Sequence, residues 1–337
     1  MSKIINNGPL LDKSGNLIES GYALSQIKKY NRNDIKANKL RIKEWDYYYL
    51  GDDKYGLALT IADNSYMSLC SISFFDYQNK TYEEKMSVHL FSNGKVNLPS
   101  SSREGNIIYK DKKVEIHFDV SINKRHLYGS FTNFKKDKTL SFDFNLLESI
   151  PDSIVMATPF NKDKHFYYNQ KINCLLGAGN IYYGKDVYKI EKACGVLDWG
   201  RGVWTYINTW YWASCSFVDN NGNNIGFNLG YGFGSNSESE NILFYNDETY
   251  KLNDVKFDIP MNNKKYDYLS SWDISSTSGN IKLKFHPLIL RKGGANLLII
   301  NSKQRQVFGY FDGYFDVGKK IEIKSRLGFA ERVYNRW

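Results

Sequence analysis

The sequence predicts an all-β protein, because its aromatic content, its turn residues and its hydrophobic alternation agree. Of the 337 residues, 16% are Phe, Trp or Tyr, which fit the pleated, half-buried surface of a sheet. There are 26 Gly and only 6 Pro, and Gly and Asn supply the positive φ angles that tight hairpins need. The sole modest candidate for a helix is Tyr22–Tyr30, so we expect strands throughout with few short helices.

Apolar and polar residues alternate in segments spread along the chain, including Val114–Val120, Leu140–Leu146 and Ile281–Phe285. A period of two gives each strand one buried face and one polar face. Asn and Gly at Ser92–Lys95 and Asp219–Asn224 predict hairpin turns between such strands. Many antiparallel strands in close succession are typical of barrels and sandwiches.

A chain of 337 residues suits two domains better than one small core. Pro151 and Pro159 interrupt the strand pattern near its middle. We therefore predict an N-terminal domain over residues 1–155 and a C-terminal domain over 156–337, packed together, each an antiparallel β-barrel or sandwich. A closed barrel of about eight strands can hold one small ligand.

Charge and spacing exclude several function classes. The net charge is +9, but no run of five basic residues occurs, so we expect no nucleic-acid partner and at most weak attraction to acidic lipid surfaces. The four Cys are widely spaced, which predicts buried free thiols in a reduced compartment. The five His lack metal-ligand spacing, and we predict neither a metal nor a cofactor. Without a signal peptide or an apolar stretch of roughly 18 residues, the expected location is cytoplasmic, with no integral membrane association.

The strongest functional signal lies in residues 194–212, which contain four of the seven Trp. Asp198 and Arg201 lie three residues apart within this segment. An acid and a base among Trp side chains need a reason to be there, so we predict that both are catalytic. A structural ion pair and a Trp-filled barrel core are the alternative interpretation. The predicted ligand-binding residues of this segment are Trp199, Trp204, Tyr206, Asn208, Trp210 and Trp212.

A second candidate lies at the start of an aromatic strand, where Glu44, Trp45 and Asp46 follow one another. Carboxylates two residues apart face the same side of a strand, so Glu44 and Asp46 can act together. We predict that all three residues bind ligand, with a solvated strand start as the alternative.

Three segments carry a resemblance to a known family: GPLLDKSGNLIESGYA, YNRNDIKANKLRIKEWDYYYL and CGVLDWGRGVWTYINTWYWAS. They resemble the bacterial family filed as domain of unknown function 2804, over nearly the whole chain. The chain is similar, more remotely, to the lipocalin-like double-barrel group of carotenoid 1,2-hydratases, tocopherol cyclases and certain Diels–Alder catalysts. That likeness implies two barrel-like domains and a hydrophobic ligand. It also implies a carboxylic acid that protonates an isoprenoid alkene, a role that Asp198 matches.

These observations support three hypotheses. The first is a cofactor-independent hydratase, cyclase or isomerase that acts on an isoprenoid- or lipid-like substrate in an apolar, aromatic-lined cavity, with Asp198 as general acid and Arg201 orienting it. The second is a non-catalytic lipid carrier with the same cavity. The third is a glycan-binding or glycan-processing β-protein in which Glu44 and Asp46 supply the carboxylates.

Overall fold

The structure is a computed structural model that describes residues 3–233, 239–297 and 300–336. Within these ranges the chain is built from β-strands, as predicted, and its helical elements are the 3₁₀ turns Arg32–Asp34 and Lys39–Arg41. The helix expected over Tyr22–Tyr30 is wrong, because that segment supplies two short strands that pair with distant parts of the chain. None of the helical elements in these ranges is long and apolar enough to cross a membrane.

The first sheet dominates the N-terminal part of the chain. Its strands run in the order β7-β6-β5-β4-β14-β13-β11-β10-β9-β8, with β12 and β2 added beside β13, while β1 and β3 form a separate parallel pair. The bounds of these strands are β1 (Gly8–Pro9), β2 (Gly21–Ala23), β3 (Lys28–Lys29), β4 (Ile42–Gly51), β5 (Tyr55–Asp63), β6 (Met67–Asp76), β7 (Thr81–Leu90), β8 (Gly105–Lys110), β9 (Val114–Ser121), β10 (Lys124–Lys135), β11 (Lys138–Glu148), β12 (Ile154–Pro159), β13 (Phe166–Tyr183) and β14 (Asp186–Val203).

The second sheet contains nine strands in the order β18-β17-β16-β15-β25-β24-β23-β22-β19, and β20 and β21 form a small hairpin. The turn predicted at Asp219–Asn224 joins β15 to β16. The bounds are β15 (Ile207–Val218), β16 (Asn224–Tyr231), β17 (Ile242–Tyr245), β18 (Glu248–Lys251), β19 (Lys256–Asp258), β20 (Met261–Asn262), β21 (Lys265–Tyr266), β22 (Trp272–Ser275), β23 (Ile281–Leu297), β24 (Ile300–Asp316) and β25 (Lys320–Arg336).

The chain divides into two compact units, residues 1–78 with 82–205 and residues 206–337 with 79–81. This division differs from the predicted one at 155/156. The physical reason is that β13 and β14 follow the predicted boundary but complete the first sheet, where the second half of β14 pairs with the whole length of β4. Pro159 does not mark a boundary, since it is the last residue of β12, a position where a strand tolerates proline.

Each sheet curls around its own apolar core, which confirms the prediction of two curled all-β halves. In the first sheet the two edge strands approach each other through side chains. The phenol of Tyr109 on β8 donates to the backbone carbonyl of Ser87 on β7 at 3.5 Å, and His89 Nε2 lies 3.2 Å from Asp111 Oδ2. We call the side of the first sheet that packs on its core the inner face and the other side the outer face.

An ion-paired cluster is buried on the inner face. Arg125 Nη1 lies 2.6 Å from Glu148 Oε1, and Arg103 Nη2 lies 2.8 Å from Glu148 Oε2. The side chain of Arg125 is 0% exposed and that of Glu148 is 1% exposed. Two guanidinium groups therefore depend on one carboxylate, in surroundings that solvate charge poorly.

We expect the substitution Glu148→Gln to lower the free energy of unfolding by about 3–5 kcal/mol, because it leaves buried positive charge without a partner. Urea denaturation followed by circular dichroism measures this loss. Glu115→Gln is the matched control, since Glu115 pairs with Lys110 on the surface and exposed pairs contribute little. Equal denaturation midpoints for the two variants would contradict the expectation.

Candidate functional site

The register of β4 and β14 decides which predicted site residues meet. Asp46 is paired with Trp199 and Glu44 with Arg201, so these four side chains share the inner face. Asp198 precedes Trp199 in the same strand and lies on the outer face. The two residues predicted to be catalytic, Asp198 and Arg201, are therefore on opposite sides of the sheet.

Arg201 pairs with Asp46 and not with Asp198. Its Nη2 donates to Asp46 Oδ1 at 2.8 Å and to the carbonyl of Pro99 at 2.9 Å. Its guanidinium carbon lies 4.3 Å from the ring centroid of Trp199, which is a cation–π distance. Burial raises the pKa of Asp46, although the positive charge of Arg201 opposes that rise. The predicted pair of Asp198 and Arg201 therefore does not form, and Arg201 pairs instead with Asp46 on the inner face.

Asp198 belongs to a polar cluster on the outer face. Lys171 Nζ lies 2.6 Å from its Oδ1, and the indole of Trp45 donates to its Oδ2 at 3.2 Å. The ring of Trp45 packs against Tyr167 and Trp204, with centroids 5.6 and 5.7 Å away. The Trp side chains predicted to bind ligand therefore do not share one face. Trp45 on the outer face packs with Trp204, whereas Trp199 is on the inner face. Asp198 is therefore held between an ammonium group and an indole, apart from Arg201, which was expected to orient it.

The remaining predicted ligand-binding residues belong to the second unit. Asn208, Trp210 and Trp212 alternate along β15 and share one face, as expected for an extended segment. The indole of Trp210 donates to Glu331 Oε1 at 2.9 Å and that of Trp212 to a side-chain oxygen at 2.6 Å. Tyr206 precedes the strand and its side chain is exposed. The two indoles therefore have polar partners within the second unit.

A cleft of about 1560 Å³ lies in the first unit. Among its described lining residues, polar and charged side chains outnumber apolar ones, which differs from the apolar, aromatic cavity that the sequence suggested. Of the predicted site residues, Glu44 alone belongs to this lining. The lining includes Gln26, Lys28, Tyr30, Arg32, Ile35, Ile42, Glu44, Leu98, Pro99, Ser100 and Asn106.

Glu44 has two strong partners at the wall of this cleft. The phenol of Tyr30 donates to its Oε1 at 2.7 Å, and Arg32 forms an ion pair with its Oε2. Arg32 also donates to the hydroxyl of Ser65 at 2.9 Å. Burial, together with the negative charge of Glu44, raises the pKa of Tyr30 well above its usual value. Tyr30 is therefore a neutral hydrogen-bond donor at physiological pH.

Sequence reasoning identified Glu44 but missed Tyr30 and Arg32. Both lie in the segment between β3 and β4, where Asn31 caps a 3₁₀ turn by accepting from the backbone N–H of Asn33. No periodic pattern marks this segment. The run Asn31-Arg32-Asn33-Asp34 could have identified this segment. Asn at such a cap predicts a fixed turn, and a fixed turn orients the side chains beside it.

The family model described as domain of unknown function (DUF2804) matches residues 1–337. The chain belongs to this family. The resemblance seen in the sequence is thereby confirmed. No curated protein matches the chain.

Two solved structures are similar to this DUF2804 chain. A protein from Nitrosomonas europaea provisionally named AttH superposes with a TM-score of 0.56 and 12% identity, covering 92% of this chain and 98% of its own. Kievitone hydratase from Nectria haematococca gives 0.49 and 13%, covering 90% of this chain and 92% of its own. The first likeness extends to the fold alone, and the second is too low to support any inference.

The side chain next to Glu44 in this DUF2804 protein is a buried lysine. Lys43 Nζ donates to the carbonyls of Leu40 at 3.1 Å and Asn64 at 2.9 Å, and it lies 4.1 Å from the ring centroid of Tyr66. Burial, assisted by the positive charge of Arg41, lowers the pKa of Lys43 to about 7. Part of the population therefore carries a neutral amine near neutral pH.

We expect the stability of the wild type to rise with pH relative to the variant Lys43→Met. Between about pH 7 and pH 10.5 the unfolded chain keeps a proton that the folded chain has lost, so stability increases by at most about 1.4 kcal/mol per pH unit. Urea denaturation from pH 6.5 to 9.5 gives both curves. The control is Lys39→Met, an exposed lysine, whose curve should follow the wild type. Parallel curves for wild type and Lys43→Met would refute the depressed pKa.

Proposed function

We propose that this protein is a cofactor-independent enzyme that moves a proton on a bound organic substrate, as hydratases, cyclases and isomerases do. The observation that carries the proposal is the position of Glu44, on the wall of the cleft and hydrogen-bonded to Tyr30. A carboxylate base and a neutral phenol donor side by side are the two groups that such chemistry requires.

The proposed steps use only these side chains and the substrate. Glu44 removes a proton from a carbon next to a substrate carbonyl, and the electron pair of that C–H bond moves towards the carbonyl oxygen. Tyr30 turns its O–H from Glu44 to this oxygen and stabilises the negative charge. Glu44 then returns the proton to another carbon, which is isomerisation. Alternatively, a β-hydroxyl leaves as water after accepting the proton, which is dehydration, and hydration is the reverse.

The ion pair with Arg32 supports the role of Glu44 as base. It fixes the carboxylate in position at the wall of the cleft. Arg32 is partly exposed, at 23% of its side chain, while Glu44 is at 3%. The arginine can therefore move with an entering substrate while the carboxylate keeps its place on β4.

The lining of the cleft supports a substrate with several oxygen or nitrogen atoms. Asn106, Gln26 and Ser100 offer hydrogen bonds, and Ile35 and Leu98 supply smaller apolar areas. We therefore propose a polar organic carbonyl compound as substrate, in place of the isoprenoid or lipid expected from the sequence. Aromatic side chains such as Trp199 are buried in the core and offer it no exposed face.

A second candidate function is binding without catalysis. The near-complete burial of Glu44 and Tyr30, at 2% and 3% exposure, favours it. Buried side chains that satisfy each other's hydrogen bonds often stabilise the fold and take no part in catalysis. Glycan processing receives less support. It needs two carboxylates flanking the substrate, and the second one, Asp46, is bound by Arg201.

The test is hydrogen–deuterium exchange at carbon. The purified protein is incubated in D2O with a panel of β-hydroxy ketones and α,β-unsaturated ketones, and products are followed by mass spectrometry. We expect deuterium incorporation or gain and loss of water with the wild type. We expect Glu44→Gln to lower the rate by about 10²–10⁴-fold, the usual contribution of a general base, while ligand binding persists. Tyr30→Phe should lower it by about 10²-fold or more.

Glu115→Gln, a surface substitution in the same unit, is the control and should leave the rate unchanged. Asp198→Asn in the same assay tests the catalytic role predicted from the sequence. Binding of panel compounds without any turnover would support the non-catalytic alternative. Equal rates for wild type and Glu44→Gln would contradict the proposed role of Glu44.

A further inference from the structure

A row of five side chains crosses the second sheet at one level. Lys292 on β23 is paired with Arg305 on β24, and Arg305 is paired with Arg332 on β25. The row continues through Tyr211 on β15 to Tyr231 on β16. Partners in register share a face, and the two tyrosines pack against the second apolar core. Three positive charges therefore lie beside one another at the margin of that core.

The tyrosines hold one of these arginines in a defined orientation. Arg332 Nε donates to the phenol oxygen of Tyr211 at 3.0 Å, and its guanidinium carbon lies 4.6 Å from the ring centroid of Tyr266. The ring of Tyr211 in turn stacks on Tyr231 with centroids 4.6 Å apart. The two Nη groups of Arg332 have no hydrogen-bond partner among the residues that the structure describes.

The two arginines of the row have no acidic partner in the described chain. Arg305 Nη1 donates to the backbone carbonyl of Gln304 at 2.8 Å, and neither Arg305 nor Arg332 forms an ion pair within residues 3–233, 239–297 and 300–336. Like charges on register partners of neighbouring strands destabilise a sheet. Both arginines are only partly exposed, so water screens this repulsion incompletely.

Three lysines of the second unit have an acidic partner. Lys324 pairs with Glu322 at 2.5 Å, and Lys284 lies 3.4 Å from Asp273. Lys319 is likewise paired with Glu248. Arg305 and Arg332 differ from these lysines because they are adjacent, partly buried and without such a partner among the described residues.

We propose that Arg305 and Arg332 bind an oxyanion, the phosphate or carboxylate group of a small ligand, on this face of the second sheet. Adjacent guanidinium groups present planar donor pairs that match the oxygens of either group. Tyr211 and Tyr266 fix one guanidinium in advance, which reduces the entropic cost of binding. The site lies in the second unit and is independent of the function proposed for the Glu44 cleft.

Isothermal titration calorimetry at low ionic strength tests the site on the full chain, with pyrophosphate and malonate as probes. We expect at least one anion to bind the wild type, and Arg305→Gln or Arg332→Gln to weaken binding by at least tenfold. Lys282→Gln is the matched control: it removes one exposed positive charge from β23, at a position paired with Tyr314 outside the row. The control should stay within twofold of the wild type.

The thermal midpoint gives a second readout. At an anion concentration about 20 times the dissociation constant, binding to the folded state should raise the Tm of the wild type. Arg305→Gln should abolish this rise. Without anion, Arg305→Gln should leave Tm unchanged or higher, since it relieves like-charge repulsion. Binding of pyrophosphate alone identifies a phosphate site, and binding of malonate alone a carboxylate site. Absence of binding by both anions, or equal weakening in Lys282→Gln, would overturn the proposal.

Discussion

The geometry of the cleft in the first unit depends on Arg201, because a guanidinium with 0% exposure must be compensated where it lies. Asp46 supplies the opposite charge, and the carbonyl of Pro99 ties the cleft lining to the sheet. The guanidinium also covers one face of Trp199. Tyr30 packs edge-on against that indole at 6.2 Å, so the phenol that contacts the Glu44 carboxylate rests on a rigid support.

Strand periodicity made part of this site predictable. Two carboxylates two residues apart were expected to share a face, and Glu44 and Asp46 do so. The same rule, applied to residues 194–212, would have placed Asp198 and Arg201 on opposite faces. The hypothesis that Arg201 orients Asp198 instead required the two side chains to meet. In the structure Gly200 is inside β14, where a Cβ would collide with the indole of Trp45, so the glycine serves close packing between strands.

Other features depend on pairing that no local pattern encodes. Tyr30 reaches Glu44 because the segment before β4 folds back beside it, and the contact joins residues 14 apart in sequence. The division into units differs from the predicted boundary for a similar reason, since Pro159 interrupts the strand pattern but the two 18-residue strands that follow return to the first sheet. The Tyr30–Glu44 contact and the division into units both depend on contacts between distant parts of the chain, which residue type alone does not encode.

The two units differ in whether their buried and half-buried charges have partners of opposite sign. In the first unit the buried charges of the inner face occur in pairs, as Arg125 with Glu148 and Arg201 with Asp46. Such pairs fix side-chain positions beside Glu44, the proposed base at the cleft. In the second unit Arg305 and Arg332 are half-buried without a carboxylate partner in the described chain. Compensated charge thus positions the groups proposed for proton transfer, whereas the two uncompensated arginines are proposed to bind an external anion.

Proton transfer is proposed to take place on the face of the first sheet that carries Glu44. A crystal structure of the protein with a bound ketone, the panel compound that exchanges deuterium fastest, would show which side chains surround the reacting atoms. We expect the ketone oxygen within hydrogen-bond distance of the Tyr30 phenol and the exchanging carbon beside the Glu44 carboxylate. A ketone bound instead against Asp198 and Trp45 on the outer face, or away from the cleft altogether, would rule out Glu44 as the base.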